Sequence, residues 1–104
     1  LTNAVVMPYV LHFNRAEVEA PLARLAAYLE LPDPSFDGFV DWVMELRRTM
    51  GVPETLGDLG VDAASAGRIA EMGETDPTAG GNPIPLTSAV LRPLVENAIS
   101  GRYA

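Results

Sequence analysis

Cysteine and lysine are absent from this chain of 104 residues, and histidine occurs once. Without cysteine there is no disulfide framework, no thiolate metal site and no cysteine nucleophile. The single histidine, His12, would have to serve any metal site or serine-histidine-aspartate triad alone, although such sites need several partners. The lack of cysteine fits a reducing compartment, and we expect a cytoplasmic protein.

Positive charge is also scarce. Seven arginines stand against fourteen acidic residues, and the net charge is −7. Nucleic-acid binding depends on clustered basic side chains that neutralise phosphates, and the one adjacent basic pair is Arg47-Arg48. We therefore expect no nucleic-acid partner, and the same charge argues against anionic membrane surfaces. The longest apolar run, residues 3–14, is too short for a bilayer, which takes about 20 apolar residues.

That apolar run predicts a central helix, buried nearly all round, that ends at Asn14. Pro8 lies inside it and costs on the order of 3 kcal/mol, which close packing by neighbouring helices would have to offset. The run begins almost at the first residue, Leu1, which we interpret as a chain whose front has been removed. We expect the bare apolar surface to make the isolated chain marginally stable or self-associating.

Two further helices are predicted before the middle of the chain. One covers Glu17–Glu30, with Pro21 in its first turn, where a missing N–H costs nothing. The next has Ser35 as N-cap and ends at Gly51 in a Schellman motif. Its apolar stripe is predicted to comprise Phe36, Phe39, Val40, Val43, Leu46 and Met50.

The second half predicts a short turn, a modest helix, a long loop and a last helix. The turn covers Thr55–Leu59, and the modest helix is capped by Asp62 and ends at Gly73. Residues 74–85 are dense in residues that favour turns and positive φ, and so long a loop is often functional. The last helix is capped by Thr87 and ends at Gly101. No segment alternates like a strand, so the sequence predicts a single all-α domain, a bundle of about five helices over 1–104.

Few side chains suggest chemistry. Asp33, Asp37 and Asp41 lack the spacing and the glycine of a calcium loop, and we interpret them as solvated charge. Residues 80–83 lack a phosphate-loop pattern and are either a turn or a binding loop. Trp42 lies off the apolar stripe and is expected to pack against a neighbouring domain or subunit, or to be a rim contact.

Four stretches in register resemble the C-terminal helical domain of the iron-containing (group III) alcohol dehydrogenases, of the dehydroquinate-synthase-like superfamily. The stretches, quoted as they stand here, are Asn3-Ala4-Val5-Val6-Met7-Pro8, Phe13-Asn14, Met50-Gly51-Val52-Pro53-Glu54-Thr55-Leu56 with Leu59-Gly60-Val61, and Gly81-Asn82-Pro83 with Pro85-Leu86-Thr87. The resemblance covers essentially the whole chain. It implies the helical domain of the dehydroquinate-synthase-like, iron-dependent alcohol dehydrogenase fold.

The resemblance implies a parent enzyme that transfers a hydride between NAD(P) and an alcohol or aldehyde, with Fe or Zn as Lewis acid. In this family an Asp and several His hold the metal, and the last ligand lies in a His-Gly pair directly before the first helix. The chain begins just after that point, so we expect no metal ligand, no nucleotide domain, no catalytic residue and no activity in the chain alone. His12 does not match a ligand position, and Tyr9 stands where relatives often have histidine.

The resemblance also places the loop before the last helix near the mouth of the substrate cleft. The residues implied to line that cleft are Thr78, Gly80, Gly81, Asn82 and Pro83. The parent is expected to be a homo-oligomer acting on a small alcohol or aldehyde. The alternative is a stand-alone helical module that binds a partner through the exposed apolar start and residues 75–85, without catalysis.

Overall fold

In a computed structural model that describes residues 1–103, five α-helices follow one another along the chain. The helices are α1 (Thr2–Phe13), α2 (Arg15–Tyr28), α3 (Phe36–Met50), α4 (Ala66–Glu74) and α5 (Ser88–Ser100). Three 3-10 turns lie between them, at Gly57–Leu59, Ala63–Ser65 and Ala79–Gly81. Residues 1–103 contain no strand, so the prediction of an all-α bundle is confirmed.

Helix α1 is the central element, as the apolar run predicts. Helix α2 packs on α3 and α4 packs on α5, while α1 contacts α2, α3 and α5 and so joins the two pairs. Val5, Pro8 and Tyr9 are its buried residues, and the buried proline ring confirms that packing accompanies the break in hydrogen bonding at Pro8. The prediction of burial nearly all round is wrong, because three neighbouring helices leave one side uncovered and Met7 is 41% exposed.

The turn between α1 and α2 is shorter than predicted. Asn14 ends α1 and directly precedes α2, which begins at Arg15. Pro21 therefore lies inside α2, and its predicted place in the first turn is wrong. The proline leaves the carbonyl of Glu17 without its helical donor, but both residues are exposed, so water can hydrogen-bond this carbonyl.

Helix α3 has the two caps that the sequence predicts. The Ser35 hydroxyl accepts a hydrogen bond from the Gly38 N–H at 3.0 Å. Gly51 adopts a left-handed conformation with φ of 73°, and the Val52 N–H bonds the Arg47 carbonyl at 2.9 Å, as in a Schellman motif. Both ends of α3 are thus fixed by local chemistry.

The predicted apolar stripe of α3 is wrong at its C-terminal end. Leu46 and Met50 are exposed, whereas Met44 and Arg47 are buried. The Arg47 guanidinium donates to the carbonyl oxygens of Val5, Pro53 and Glu54 at 3.1, 3.1 and 3.3 Å. The buried face of α3 thus carries a donor because α1 and the segment after α3 present backbone acceptors there.

The C-terminal half follows the predicted order with small shifts. Asp62 caps a 3-10 turn that leads into α4, and α4 ends at Glu74, one residue beyond the predicted Gly73. The Thr87 hydroxyl accepts from the Val90 N–H at 3.3 Å, and Gly101 ends α5 with φ of 92°. Both predicted caps of α5 are confirmed.

Candidate functional site

The loop between α4 and α5 is held in a defined shape by its own polar side chains. The Asp76 carboxylate accepts hydrogen bonds from the Thr78 N–H at 2.8 Å and from the Thr78 hydroxyl at 2.5 Å. These hydrogen bonds lower the pKa of Asp76. The Glu74 carboxylate accepts from the Ser88 N–H at 3.0 Å, which ties the two ends of the loop together. The loop is therefore an ordered surface rather than a slack connection.

A pair of asparagines fastens this loop to the junction of α1 and α2. The Asn14 amide donates to the Asn82 side-chain oxygen at 2.8 Å, and the Asn82 amide donates back to the Asn14 oxygen at 2.9 Å. The Asn82 amide also donates to the Ile84 carbonyl at 2.7 Å. Asn14 is buried, and a buried amide needs such partners. Two of the resembling sequence stretches thus meet through one reciprocal contact.

Two neighbouring depressions, of about 570 and 430 Å³, lie along the loop. Asn82 and Pro83 line both, Thr78 and Gly81 line the first, and Gly80 lines the second. Their surface offers an amide, a hydroxyl and backbone groups, together with the carboxylate of Asp76 in both depressions and that of Glu74 in the second. Such groups can orient a polar ligand by hydrogen bonds but carry no redox chemistry.

The expected positive φ of this loop is wrong. Among the described residues, positive φ occurs at Gly51, Gly60, Gly101 and Glu30, and not at Gly80 or Gly81. The reason is local: residues 79–81 form a 3-10 turn, which uses ordinary right-handed backbone angles.

His12 lies in an aromatic cluster. Its ring meets the Phe36 ring edge to face at a centroid distance of 5.6 Å and lies 5.1 Å from the Tyr103 ring. Burial lowers the pKa of His12, and the positive charge of Arg15 lowers it further. The imidazole thus packs as one ring of this aromatic cluster, where its protonated form is disfavoured.

The aspartates and Trp42 lie at the surface. Asp37 pairs with Arg15 at 3.1 Å, while Asp33 and Asp41 are exposed. Trp42 is 41% exposed and contacts the Phe39 ring at a centroid distance of 5.9 Å. Its packing against another domain or subunit stays a prediction.

Sequence reasoning missed three contacts of α1 and its surroundings. Arg47 was noted only as part of a basic pair, although its spacing of four residues from Val43 puts it on the buried face of α3. Tyr103 stacks on Tyr9 at a centroid distance of 4.8 Å, and no pattern in the sequence indicates this return of the chain. The Tyr9 hydroxyl donates to the Glu54 carbonyl at 2.6 Å, and burial is the main reason that its pKa rises to about 12.

Within residues 1–103, no three His, Cys, Asp or Glu side chains are placed so that they could hold a metal ion. Over the same residues, no helix is long and apolar enough to cross a membrane. The described residues thus form a helical domain with two surface depressions along the loop before α5.

Comparison with known proteins identifies the family. Residues 1–99 match the description "Fe-containing alcohol dehydrogenase family, C-terminal". The chain therefore belongs to the Fe-containing alcohol dehydrogenase family and corresponds to its C-terminal domain. It is also similar to maleylacetate reductase 1 of Cupriavidus pinatubonensis (strain JMP 134 / LMG 1197), with 30% identity over 104 residues. That alignment covers 97% of this chain but 27% of the reductase, so the chain spans about a quarter of its relative's length. No solved structure matches the chain significantly.

Proposed function

We propose that this chain is the C-terminal helical domain of an oxidoreductase that transfers a hydride between NAD(P) and a small alcohol or aldehyde. The observation that carries the proposal is the family match across residues 1–99. The similarity to a maleylacetate reductase supports a reduction reaction. In the family an Fe or Zn ion polarises the substrate oxygen.

The described residues do not fit such an ion, since none of their His, Cys, Asp and Glu side chains form a ligand group. We therefore assign the metal ligands and the nucleotide-binding domain of the parent enzyme to residues outside these 104. The chain alone is proposed to be inactive, and the parent is proposed to be a cytoplasmic homo-oligomer. The Asn14–Asn82 contact and the two depressions support a role for residues 78–83 in shaping the mouth of the substrate cleft.

Deletion of Gly80–Pro83 from the enzyme that carries this domain tests the proposal. We expect kcat/KM for an aldehyde substrate to fall about 100-fold, because small displacements near the reacting groups cost that much. Metal content should stay unchanged, whereas the loss of the Asn14–Asn82 contact should lower the free energy of unfolding. The assay follows the oxidation of NADH and of NADPH. A parallel assay adds a chelator, and we expect the chelator to abolish turnover.

Two point variants separate a local role from a folding defect. Thr78→Val removes a hydroxyl at the proposed cleft, while Thr49→Val removes an exposed hydroxyl from α3. We expect the first to lower kcat/KM and the second to leave it unchanged. Full turnover without residues 80–83, or turnover that survives metal removal, would contradict the proposal. Loss of binding to another protein, with no turnover in any form, would instead support the alternative of a binding module.

A further inference from the structure

A separate cavity lies between α1 and α5, away from the two loop depressions. Its volume is about 510 Å³, and it shares no lining residue with either of them. Its walls are mainly aromatic or apolar, with Tyr9, His12, Phe13, Pro93, Leu94 and Tyr103 among the lining residues. The cavity therefore has the size and the lining of a small-molecule site.

The aromatic wall is ordered by stacking. The Tyr9 and Tyr103 rings are nearly parallel, with an interplanar angle of 17°, and the His12 ring approaches Tyr103. Tyr9 is 2% exposed and forms the fixed base of this stack. A flat aromatic ring that enters the cavity would meet the rings of His12, Phe13 and Tyr103 without first ordering them.

The charge of the cavity is opposite to that of the chain. Acidic residues outnumber arginines two to one overall, yet Arg15 and Arg102 line the cavity and no acidic residue does. Glu19 and Asp37 pair with Arg15, whereas Arg102 forms no ion pair within residues 1–103. Asn97 adds an amide to the same wall.

From the stacked rings, the local charge and the volume, we propose that this cavity binds a small planar aromatic carboxylate. The ring of the ligand packs against His12, Phe13 and Tyr103, and its carboxylate accepts hydrogen bonds from Arg102. Arginine suits this role because its guanidinium binds a carboxylate through two parallel hydrogen bonds. The site goes beyond the proposed function and does not depend on metal or nucleotide.

Titration of the full chain with sodium benzoate, followed by two-dimensional NMR, tests the proposal. We expect saturable shifts at residues of α1 and α5, with a Kd in about the millimolar range or tighter, as suits so small a ligand. Arg102→Met should weaken binding about tenfold, because it removes a charge-assisted hydrogen bond. Arg24→Met is the matched control, since Arg24 is an exposed arginine that does not line the cavity.

Two further ligands and one variant complete the test. Cyclohexanecarboxylate keeps the charge but not the planar ring, and should bind about threefold more weakly or worse. Benzyl alcohol keeps the ring but not the charge, and should also bind more weakly. Val90→Trp should fill the cavity and abolish binding. The absence of saturable binding, equal losses in Arg102→Met and Arg24→Met, or equal affinities for benzoate and cyclohexanecarboxylate would overturn the proposal.

Discussion

Arg47 and Arg48 are adjacent in the sequence but have opposite environments. Arg47 is 6% exposed and bonds three backbone carbonyls, and its Nε is a buried donor without a partner within residues 1–103. Arg48 extends into solvent and forms long ion pairs, at 3.5 Å, with Glu45 and Glu54. Their contributions to the free energy of unfolding should differ accordingly.

Arg47→Met should lower the free energy of unfolding by about 1.5–3 kcal/mol, because the carbonyls of Val5, Pro53 and Glu54 lose a charged donor. Arg48→Met should change it by less than about 1 kcal/mol, since surface ion pairs contribute little. Urea denaturation of both variants measures the difference. Equal effects of the two substitutions would show that Arg47 does not stabilise the junction of α1 and α3.

His12 makes stability depend on pH. Its folded-state pKa lies below the ordinary value of 6.5, mainly because of burial, so the unfolded chain binds the proton more readily. Above pH 6.5 the titration of His12 therefore costs the folded state little. As the pH falls below that value, proton uptake by the unfolded chain lowers the free energy of unfolding. Nearby Asp37 and Asp41 oppose the shift but do not reverse it.

His12→Phe should keep the aromatic packing and remove this part of the acid-dependent loss. Denaturation midpoints measured at a series of pH values below 6.5 provide the test, and we expect the variant to show a flatter dependence. If the midpoints of both proteins fall in parallel through this range, protonation of the imidazole does not destabilise the folded state.

For single residues, the sequence predicts those that act through near neighbours in the chain. It does not predict those whose partners are distant in the chain. Ser35, Gly51 and Thr87 act through neighbours three to five residues away, and a pattern therefore predicts them. Arg47 donates to the Val5 carbonyl 42 residues away, and the Tyr103 hydroxyl donates to the Met44 sulfur 59 residues away, which no local pattern encodes. The asparagines of the contact at the candidate site were each noted, but their pairing across 68 residues was not.

Helices and their connections were predictable in number and order, but less so at their boundaries. Five periodic or apolar segments correspond to five helices. The start of α2 was misplaced because Pro21 is an expected first-turn residue, while Asn14, at the sharp turn, pairs with Asn82, which no local pattern predicts. The stripe of α3 was misplaced because hydropathy alone assigns Leu46 to the core and Arg47 to solvent.

The start of α3 depends on one close approach. A Cβ atom added at Gly38 would lie 1.9 Å from the carbonyl oxygen of Asp33, so the linker before α3 would have to move. Gly80, by contrast, has no atom within 4 Å of such a Cβ and no positive φ. The two glycines therefore form a matched pair for substitution.

Gly38→Ala should lower the free energy of unfolding by about 1–3 kcal/mol, as overpacking typically does. Gly80→Ala should be neutral or stabilise by up to about 1 kcal/mol, because it reduces the entropy of the unfolded chain. Thermal and urea denaturation measure both. A harmless Gly38→Ala would mean that α3 can begin without the close contact at Asp33.

For the whole molecule, the class of fold and the family were predictable, while the extent of burial was not. The apolar run predicted α1 as the central helix, and the four resembling stretches predicted the family that residues 1–99 match. Burial of a helix depends on all the elements that pack against it. Within residues 1–103, no element packs against one side of α1. Marginal stability or self-association through that side stays a prediction.

The sequence of the coding DNA directly upstream of the Leu1 codon is the most direct test of the proposed role as the C-terminal domain of a metal-dependent oxidoreductase. We expect it to encode His-Gly immediately before Leu1, with further histidines at helical spacing and an aspartate before them. A start codon at that position would contradict the proposed role, because the chain would then be a complete protein without metal ligands or a nucleotide-binding domain.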